Sequence, residues 1–462
     1  MAKHAIALVV VAAAACGHRG SSASPPPAHR DAAAVRDTSP EISARPLGLP
    51  ALADFAWRKR AGQPAYRSAR SAEARDDWPS VVNSARDALA ADPGHLEAAW
   101  LYAVALAKTG KLDDVLPPLQ LAAAGDFGKW ALASLEQPAL QPWLATPIGQ
   151  AWRRRVEQDR PVYAAALARA TVVAAAGDLY AFDPEGARWY RLTRTYGAVV
   201  AALAAPHRLA YVTRTKKQGA KTARVAVGLV DLATGRSTHP TDAGGASPLA
   251  IAYSTTRAAG FWIGSGGAWR QLDDDGKLHP LPPKTPRPRG AWLEVLAHSA
   301  RLHRLPVANV SADWDDQSLA SAMRVGTSNR VVAAPSPGLV DGNTVTWSPD
   351  RAHLAFVAQL DDHCTPGAPG APGAPGAPGA AAFVADAATG TIRELERAEH
   401  GLALEWLSDR RLAVAGDHGV SIVDLDGAPP LVLEGADGLV SPRRTPKCVA
   451  EPAEEPAEEE EN

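Results

Sequence analysis

Carboxylates, imidazoles and thiols are the side chains from which this sequence would build a reaction centre, and their spacing decides how far that goes. Asp273-Asp274-Asp275-Gly276 gathers three carboxylates where calcium could be touched. An EF-hand loop needs alternating oxygen ligands and a distal Glu, so an acidic hairpin tip is the plainer reading. Asp313, Asp315 and Asp316 surround Trp314 and would suit a cation, a basic partner or a solvated loop. His298 and His303 lie five apart, a step that fits neither a helix face nor a strand face. Cys16, Cys364 and Cys448 lack the CxxC and HxxxH spacings of zinc sites. In Gly264-Ser265-Gly266-Gly267 the serine has Ile263 where a nucleophile elbow needs its first glycine, which leaves a turn between Trp262 and Trp269. Gly125 to Trp130, GDFGKW, lacks the phosphate-loop spacing and the hydroxyl residue after lysine. No catalytic residue, metal or cofactor is expected from these motifs. A dyad or triad gathered from distant loops would leave no such mark.

The elements that would position any site begin with an export segment. Lys3 and His4 precede an unbroken apolar run from Ala5 to Ala15. Eleven residues are too few for a hydrocarbon core, which takes about 20 in a helix, but they fit the apolar region of a secretory signal peptide. Ala13-Ala14-Ala15-Cys16 resembles the lipobox of bacterial lipoproteins, with Ala13 where that pattern usually has Leu. The resemblance implies a signal peptide over 1–15 and acylation of Cys16, so that the protein meets the membrane through an N-terminal lipid. A plain secreted protein is the alternative. Gly17 stands where Asp often marks inner-membrane retention. By that resemblance the address is the envelope of a two-membraned bacterium, at the outer membrane, facing the periplasm or the cell surface. With Cys16 acylated, Cys364 and Cys448 remain as an even pair in an oxidising compartment, where a disulfide is expected; two free thiols are the alternative.

Composition bounds the rest. The chain has 462 residues, 46% of them in the AVILMFWYC set and 21% charged, enough to bury sizeable cores in two or three domains. A net charge of −2 argues against a nucleic-acid partner, which would need clustered Lys and Arg. The tail EPAEEPAEEEEN holds seven Glu and no base, which leaves the rest of the chain at about +5. Residues 16–50, rich in Ser, Pro and Ala, are expected to be a disordered tether, and 449–462 a disordered acidic tail.

Residues 51–165 are expected to be helical. From Tyr66 to Ala123 small and apolar residues return at three- and four-residue steps, interrupted at Asp92-Pro93-Gly94. Ala85, Ala88, Trp100, Ala103, Leu106, Gly110, Leu119 and Ala122 resemble the positions of one and a half to two tetratricopeptide repeats. A freestanding solenoid wants at least three. Trp130, Leu135, Leu140, Trp143, Leu144 and Trp152 then form a helical cap, with a peptide-binding groove on the repeats as the functional alternative. Arg153-Arg154-Arg155 reads as a solvated helix end more than as a binding patch.

Over 166–448 the period becomes alternating, with turns at roughly ten-residue spacing, as in all-β sandwiches and propellers. DLYAFDPEGARWYRL, VAVGLVDLATGRSTHP, AAFVADAATGTIREL and GVSIVDLDGAPPLVL share one design: an apolar strand, an Asp, a Gly-containing turn and a second strand. Asp231, Asp386 and Asp424 take the Asp position in three of them, with Gly235, Gly390 and Gly427 closing the turn. VTWSPDRAHLAFVA, from Val345 to Ala358, resembles the blade repeat of TolB-like and WD40-like propellers, and Leu404 to Gly416 is a degraded copy. The resemblance implies a closed propeller; counting hairpins over 171–442 gives five to six blades, or seven, and the first lacks an innermost strand that the segment near Leu439 would complete. Lys284 to Pro337 matches the pattern poorly. Residues 365–380, a Pro-Gly-Ala repeat, extend one hairpin as low-complexity sequence.

The fold class expected is therefore multidomain: α-helical tetratricopeptide-like repeats, then an all-β propeller. The function expected is a non-catalytic scaffold that binds one or more envelope proteins. A propeller-based periplasmic enzyme, or a receptor for peptide or glycan, is the alternative.

Overall fold

The computed structural model describes residues 40–440 except 57–58, 206, 217–222, 245–248, 255–259, 266–267, 283–284, 287–291, 296–299, 304–306, 316–317, 337, 361–378 and 399–401. Among the described residues seven α-helices come first: α1 Gln63–Glu73, α2 Trp78–Ala91, α3 Leu96–Lys108, α4 Leu116–Gly125, α5 Phe127–Glu136, α6 Gln141–Leu144 and α7 Pro147–Ala168. Their boundaries follow local chemistry. The Asp77 carboxylate accepts from Ser80 N at 3.3 Å to cap α2, and hydrogen bonding from the Ser80 side chain, then its backbone, holds the Asp77 carboxyl below its usual range. Thr146 Oγ1 caps α7 by accepting from Gly149 N at 3.2 Å. Asp92-Pro93-Gly94 falls in the gap between α2 and α3, as the sequence predicts, and Gly110, at φ +76°, turns the chain after α3. Each of α1 to α4 packs on the next, and α4 on α5. Ala85, Ala88, Ala103 and Ala122 are fully buried, which lets the helix axes approach closely.

Two boundaries need correction. Residues 40–50, expected within the tether, are built into the fold: Ile42 is buried, Gln120 Nε2 donates to the Ser43 carbonyl, and Leu49 exchanges two backbone bonds with Trp189, at 2.9 and 2.8 Å. The apolar Ile42, Leu47, Leu49 and Leu52 outweigh the disorder-prone composition upstream. The expected boundary at 165/166 falls inside the last turn of α7, whose helix runs to Ala168.

The remaining chain forms antiparallel sheets, six among the described residues. The first holds Thr171–Ala175, Asp178–Asp183 and Arg188–Arg191, and Gly438–Leu439 pairs with its first strand, Val173 opposite Leu439. The completion expected near Leu439 is thus present. The second is built on Val199–Ala205, Arg208–Thr215 and Arg224–Asp231. The third has six strands, because Trp292–Val295 adds to Leu249–Ser254 and brings Ala300–His303 with it. Val310–Ser311, Ala322–Val325 and Arg330–Ala333 make a fourth, three-stranded sheet. Strands thus occupy the stretch 284–337 where the sequence shows little pattern; pieces of two to four residues are too short to display alternation. The fifth is built on Leu339–Trp347, His353–Gln359, Ala380–Asp386 and Ile392–Ala398, and the sixth on Ala403–Trp406, Arg411–Gly416, Gly419–Asp424 and Leu431–Leu433.

The expected Asp–Gly turns are closed by side chains. Asp386 Oδ1 accepts from Ala388 N at 2.9 Å and Thr389 N at 2.8 Å, Asp231 Oδ1 from Ala233 N at 2.8 Å, and Asp424 Oδ1 from Asp426 N at 2.9 Å. Gly235, Gly390 and Gly427 supply the left-handed residue, at φ +66°, +75° and +92°. Trp347 and Trp406 each reach out of their own strand: Trp347 Nε1 donates to the Ala308 carbonyl at 2.9 Å and Trp406 Nε1 to Thr346 O at 3.1 Å.

Candidate functional site

Trp100 on α3 and Trp130 on α5 stack with ring centroids 4.5 Å apart and an interplanar angle of 19°, both half-buried. Such a pair adds about 0.5–1.5 kcal/mol beyond its buried area. Lys129, the neighbour of Trp130, places Nζ 3.8 Å from that ring's centroid and bonds both oxygens of Glu97, at 3.0 and 2.9 Å. Burial lowers the Lys129 ammonium pKa, and Glu97 opposes the shift. Tyr66 on α1 packs against His95 at 4.8 Å and lies within electrostatic reach of Glu97 and Tyr196. Burial pushes the Tyr66 phenol up and the His95 imidazole down; His95 Nδ1 accepts from Ala98 N at 3.1 Å and caps α3 as a neutral ring.

The last member comes from the link between the first two sheets. Asp178 organises it: Oδ1 accepts from Thr193 Oγ1 at 2.8 Å, Thr195 N at 2.7 Å and Thr195 Oγ1 at 2.9 Å, while Oδ2 takes Arg191 at 3.1 Å. Arg194 then crosses to the helices and forms a two-armed pair with Asp126 at the start of α5, with Nε at 3.0 Å from Oδ2. Desolvation works against the charge on Arg194, and Asp126 more than offsets it, raising its pKa. Held on both sides, the link presents Tyr196 at φ +60° with 58% of its surface exposed. A left-handed backbone costs an L-residue roughly 1–2 kcal/mol, and a bulky one rarely adopts it. The outcome is a set of partly open aromatic rings, the stacked Trp100 and Trp130, Tyr66 against His95, and exposed Tyr196, with Lys129 paired to Glu97 and Arg194 to Asp126. Its chemistry is adhesion to rings and apolar chain.

The other sequence-derived candidates stand apart from these rings. Cys16, Cys364 and Cys448 lie outside the described residues, as do the 16–39 part of the tether, most of the 365–380 repeat and the 449–462 tail. The acidic run at 273–275 is a self-closed hairpin tip. Asp273 Oδ1 accepts from Asp275 N and Lys277 N, His279 bonds its other oxygen and holds the carboxyl low, and Asp274 pairs with Arg208 of the second sheet. Asp315 Oδ1 accepts from Leu319 N at 2.8 Å, a loop role; Asp313 is exposed, and Asp316 lies outside the described residues. His298 is likewise outside, and His303 sits on a strand of the third sheet. Ser265 pairs with Ala268 across the connection at Gly266-Gly267, as a hairpin would have it. Among the described residues no group of three or more His, Cys, Asp or Glu is placed to hold a metal, and no helix is long and apolar enough to cross a membrane.

Sequence reasoning named Trp100 and Trp130 but gave them separate duties, one to the repeats and one to the cap. Their recurrence 30 residues apart, near the length of one helical repeat, is the signal that would have joined them. Tyr196 and the Lys129–Glu97 pair left no such signal.

No protein-family model and no curated protein matches the chain. Solved structures give faint likenesses. A eukaryotic initiation factor has a TM-score of 0.27 at 12% identity, over 60% of this chain and 87% of its own. A prolyl endopeptidase has 0.26 at 12%, over 64% of this chain and 55% of its own. The extracellular domain of a hybrid two-component system of B. thetaiotaomicron has 0.22 at 13%, over 57% and 32%. At such scores the likeness carries neither activity nor partner to this chain.

Proposed function

We propose that the chain is a lipid-anchored protein of the bacterial envelope that acts as a non-catalytic interaction scaffold, with tetratricopeptide-like helices joined to a β-propeller. Partly open aromatic residues carry this reading: exposed Tyr196 is held in a costly conformation, Trp100 and Trp130 stack half-buried, and Tyr and Trp dominate the energetic centres of protein interfaces. The six antiparallel sheets, and the pairing of Gly438–Leu439 with the first, support the propeller reading. Ala13-Ala14-Ala15-Cys16 supports the anchor, which several acyl chains would supply at about 0.8 kcal/mol per buried CH₂.

Membrane fractionation after mild crosslinking tests both parts. Wild type partitions with membranes and Cys16→Ser leaves them; unchanged fractionation removes the anchor from the proposal. A partner crosslinked to wild type is lost in Trp130→Ala while anchoring is retained. Equal crosslinking by the two proteins would assign the partner to another surface.

A further inference from the structure

His95 is the N-cap of α3 and is sealed from solvent. Its Nδ1 accepts from Ala98 N at 3.1 Å and so satisfies a backbone donor of the first turn. A ring nitrogen accepts only while it carries no proton; the imidazolium has two donors and no acceptor. Charge on this ring and the cap on α3 therefore exclude each other. The ring is also tightly enclosed. A Cβ on Gly62 would lie 3.0 Å from Asp92 Cβ and 3.2 Å from His95 Cδ2, and the Tyr66 ring packs on the imidazole at 4.8 Å.

The charged groups facing the imidazole come from three places: Asp92 from the end of α2, Glu97 from α3 and Arg60 from the turn before α1. Arg60 holds Asp92 Oδ1, and Lys129 of α5 holds Glu97. Tyr66 is the titratable neighbour on α1, and burial raises its phenol further from neutrality. Burial opposes charge on His95, and Asp92 and Glu97 offset it only in part. Asp92 Oδ2 is buried and has no hydrogen-bond partner among the described residues. An unmet acceptor beside a neutral ring costs stability, and a charged ring would meet it.

We infer that His95 is an acid-released latch on α3: a proton on its imidazole breaks the cap to Ala98, turns the ring toward Asp92 Oδ2 and loosens the turn that carries Glu97. Glu97 holds Lys129 against the Trp130 ring, and Trp100 lies on the next turn of α3, so the release reaches the stacked pair. This goes beyond the scaffold reading, which it would make sensitive to acid. A histidine depressed by folding contributes stability above its unfolded value, about 6.5, and loses it as pH falls toward the folded value.

Amide hydrogen exchange of the purified full chain, read at Ala98 and Ala99 and corrected for the intrinsic rate at each pH, compares wild type with His95→Asn. The Asn side-chain oxygen caps the same turn without titrating. Between pH 7 and pH 5 protection falls about 10- to 25-fold in wild type, one proton giving at most about ten-fold per pH unit, and stays within about two-fold in His95→Asn. The strands His353–Gln359 and Ala380–Asp386 keep their protection in both chains as internal controls. His95→Ser is a second cap that does not titrate and replaces His95→Asn should that variant not fold. A flat wild-type profile overturns the inference without any variant. An equal fall in wild type and the capped variants also overturns it, and assigns the acid response to Asp92 or Glu97. Partner crosslinking is a separate readout, so either reading can fail while the other stands.

Discussion

The fifth and sixth sheets and the junction between the helices and the first sheet are held by different physics. In the two sheets Phe356, Phe383, Leu354, Leu412 and Val414 are essentially sealed from solvent, and the Asp386 and Asp424 turns each close a hairpin locally. Among the described residues the polar ties between them include Trp406 Nε1 to Thr346 O, Asp350 N to Asp409 Oδ1 at 2.9 Å, and the Arg393 guanidinium to the Leu425 carbonyl at 3.1 Å. The junction instead concentrates three carboxylate–guanidinium pairs, Asp126–Arg194, Asp178–Arg191 and Asp183–Arg169, whose carboxylates are only 5%, 5% and 2% exposed. Apolar burial tolerates a change of side chain as long as volume is kept. A buried pair tolerates no single change, because the remaining charge is stranded. The sheets are thus robust, and the junction is specific in orientation.

The largest expected effect comes from breaking the junction. Arg194→Ala leaves Asp126 buried and unpaired and costs about 3–5 kcal/mol of stability in urea unfolding. Asp126→Leu with Arg194→Met recovers most of that loss; a single variant within about 1 kcal/mol of wild type would erase the contrast. Leu412→Ala, in the sheets, costs about 2–5 kcal/mol by transfer and cavity terms, and Leu412→Met restores all but about 1.5. Trp406→Phe keeps the ring and loses one bond to Thr346, a loss of about 1 kcal/mol in thermal melting. Tyr196→Gly removes backbone strain along with the ring, so stability holds or rises by up to about 1 kcal/mol while partner crosslinking falls. A destabilised Tyr196→Gly would assign the ring to folding.

Acid tests the turns of the two sheets. Backbone and side-chain bonds from Thr389 hold the Asp386 carboxyl below its usual range, and the Asp426 N–H does the same for Asp424. A carboxyl depressed on folding contributes stability above its unfolded value, about 3.9, and loses it as pH falls through the folded value. Between pH 5 and pH 3 the urea midpoint should therefore fall less for Asp386→Asn than for wild type. An equal fall would show that this turn bond is worth nothing.

What the sequence made legible follows the same division. Helices separated at Asp92-Pro93-Gly94 and hairpins closed at Asp386–Gly390 are local events, written in adjacent residues and readable there. The completion of the first sheet by the segment near Leu439 was legible because an alternating pattern lacked one strand. The candidate aromatic residues were legible only in part: both Trp residues stood out, but Tyr196 is placed by Asp178, Thr195 and Arg194 through contacts that no period records. The inclusion of residues 40–50 was missed because a few leucines on a Pro-rich background become decisive only when Trp189 offers an edge.

Gly438–Leu439 is synthesised some 260 residues after the strand it joins. At about 5–20 residues per second that interval is on the order of tens of seconds. Until it ends, the backbone of Val173 and Ala174 offers an open edge to any nascent neighbour. Chains ending before 438 keep that edge open, and premature stop codons there should yield aggregates instead of shortened soluble protein.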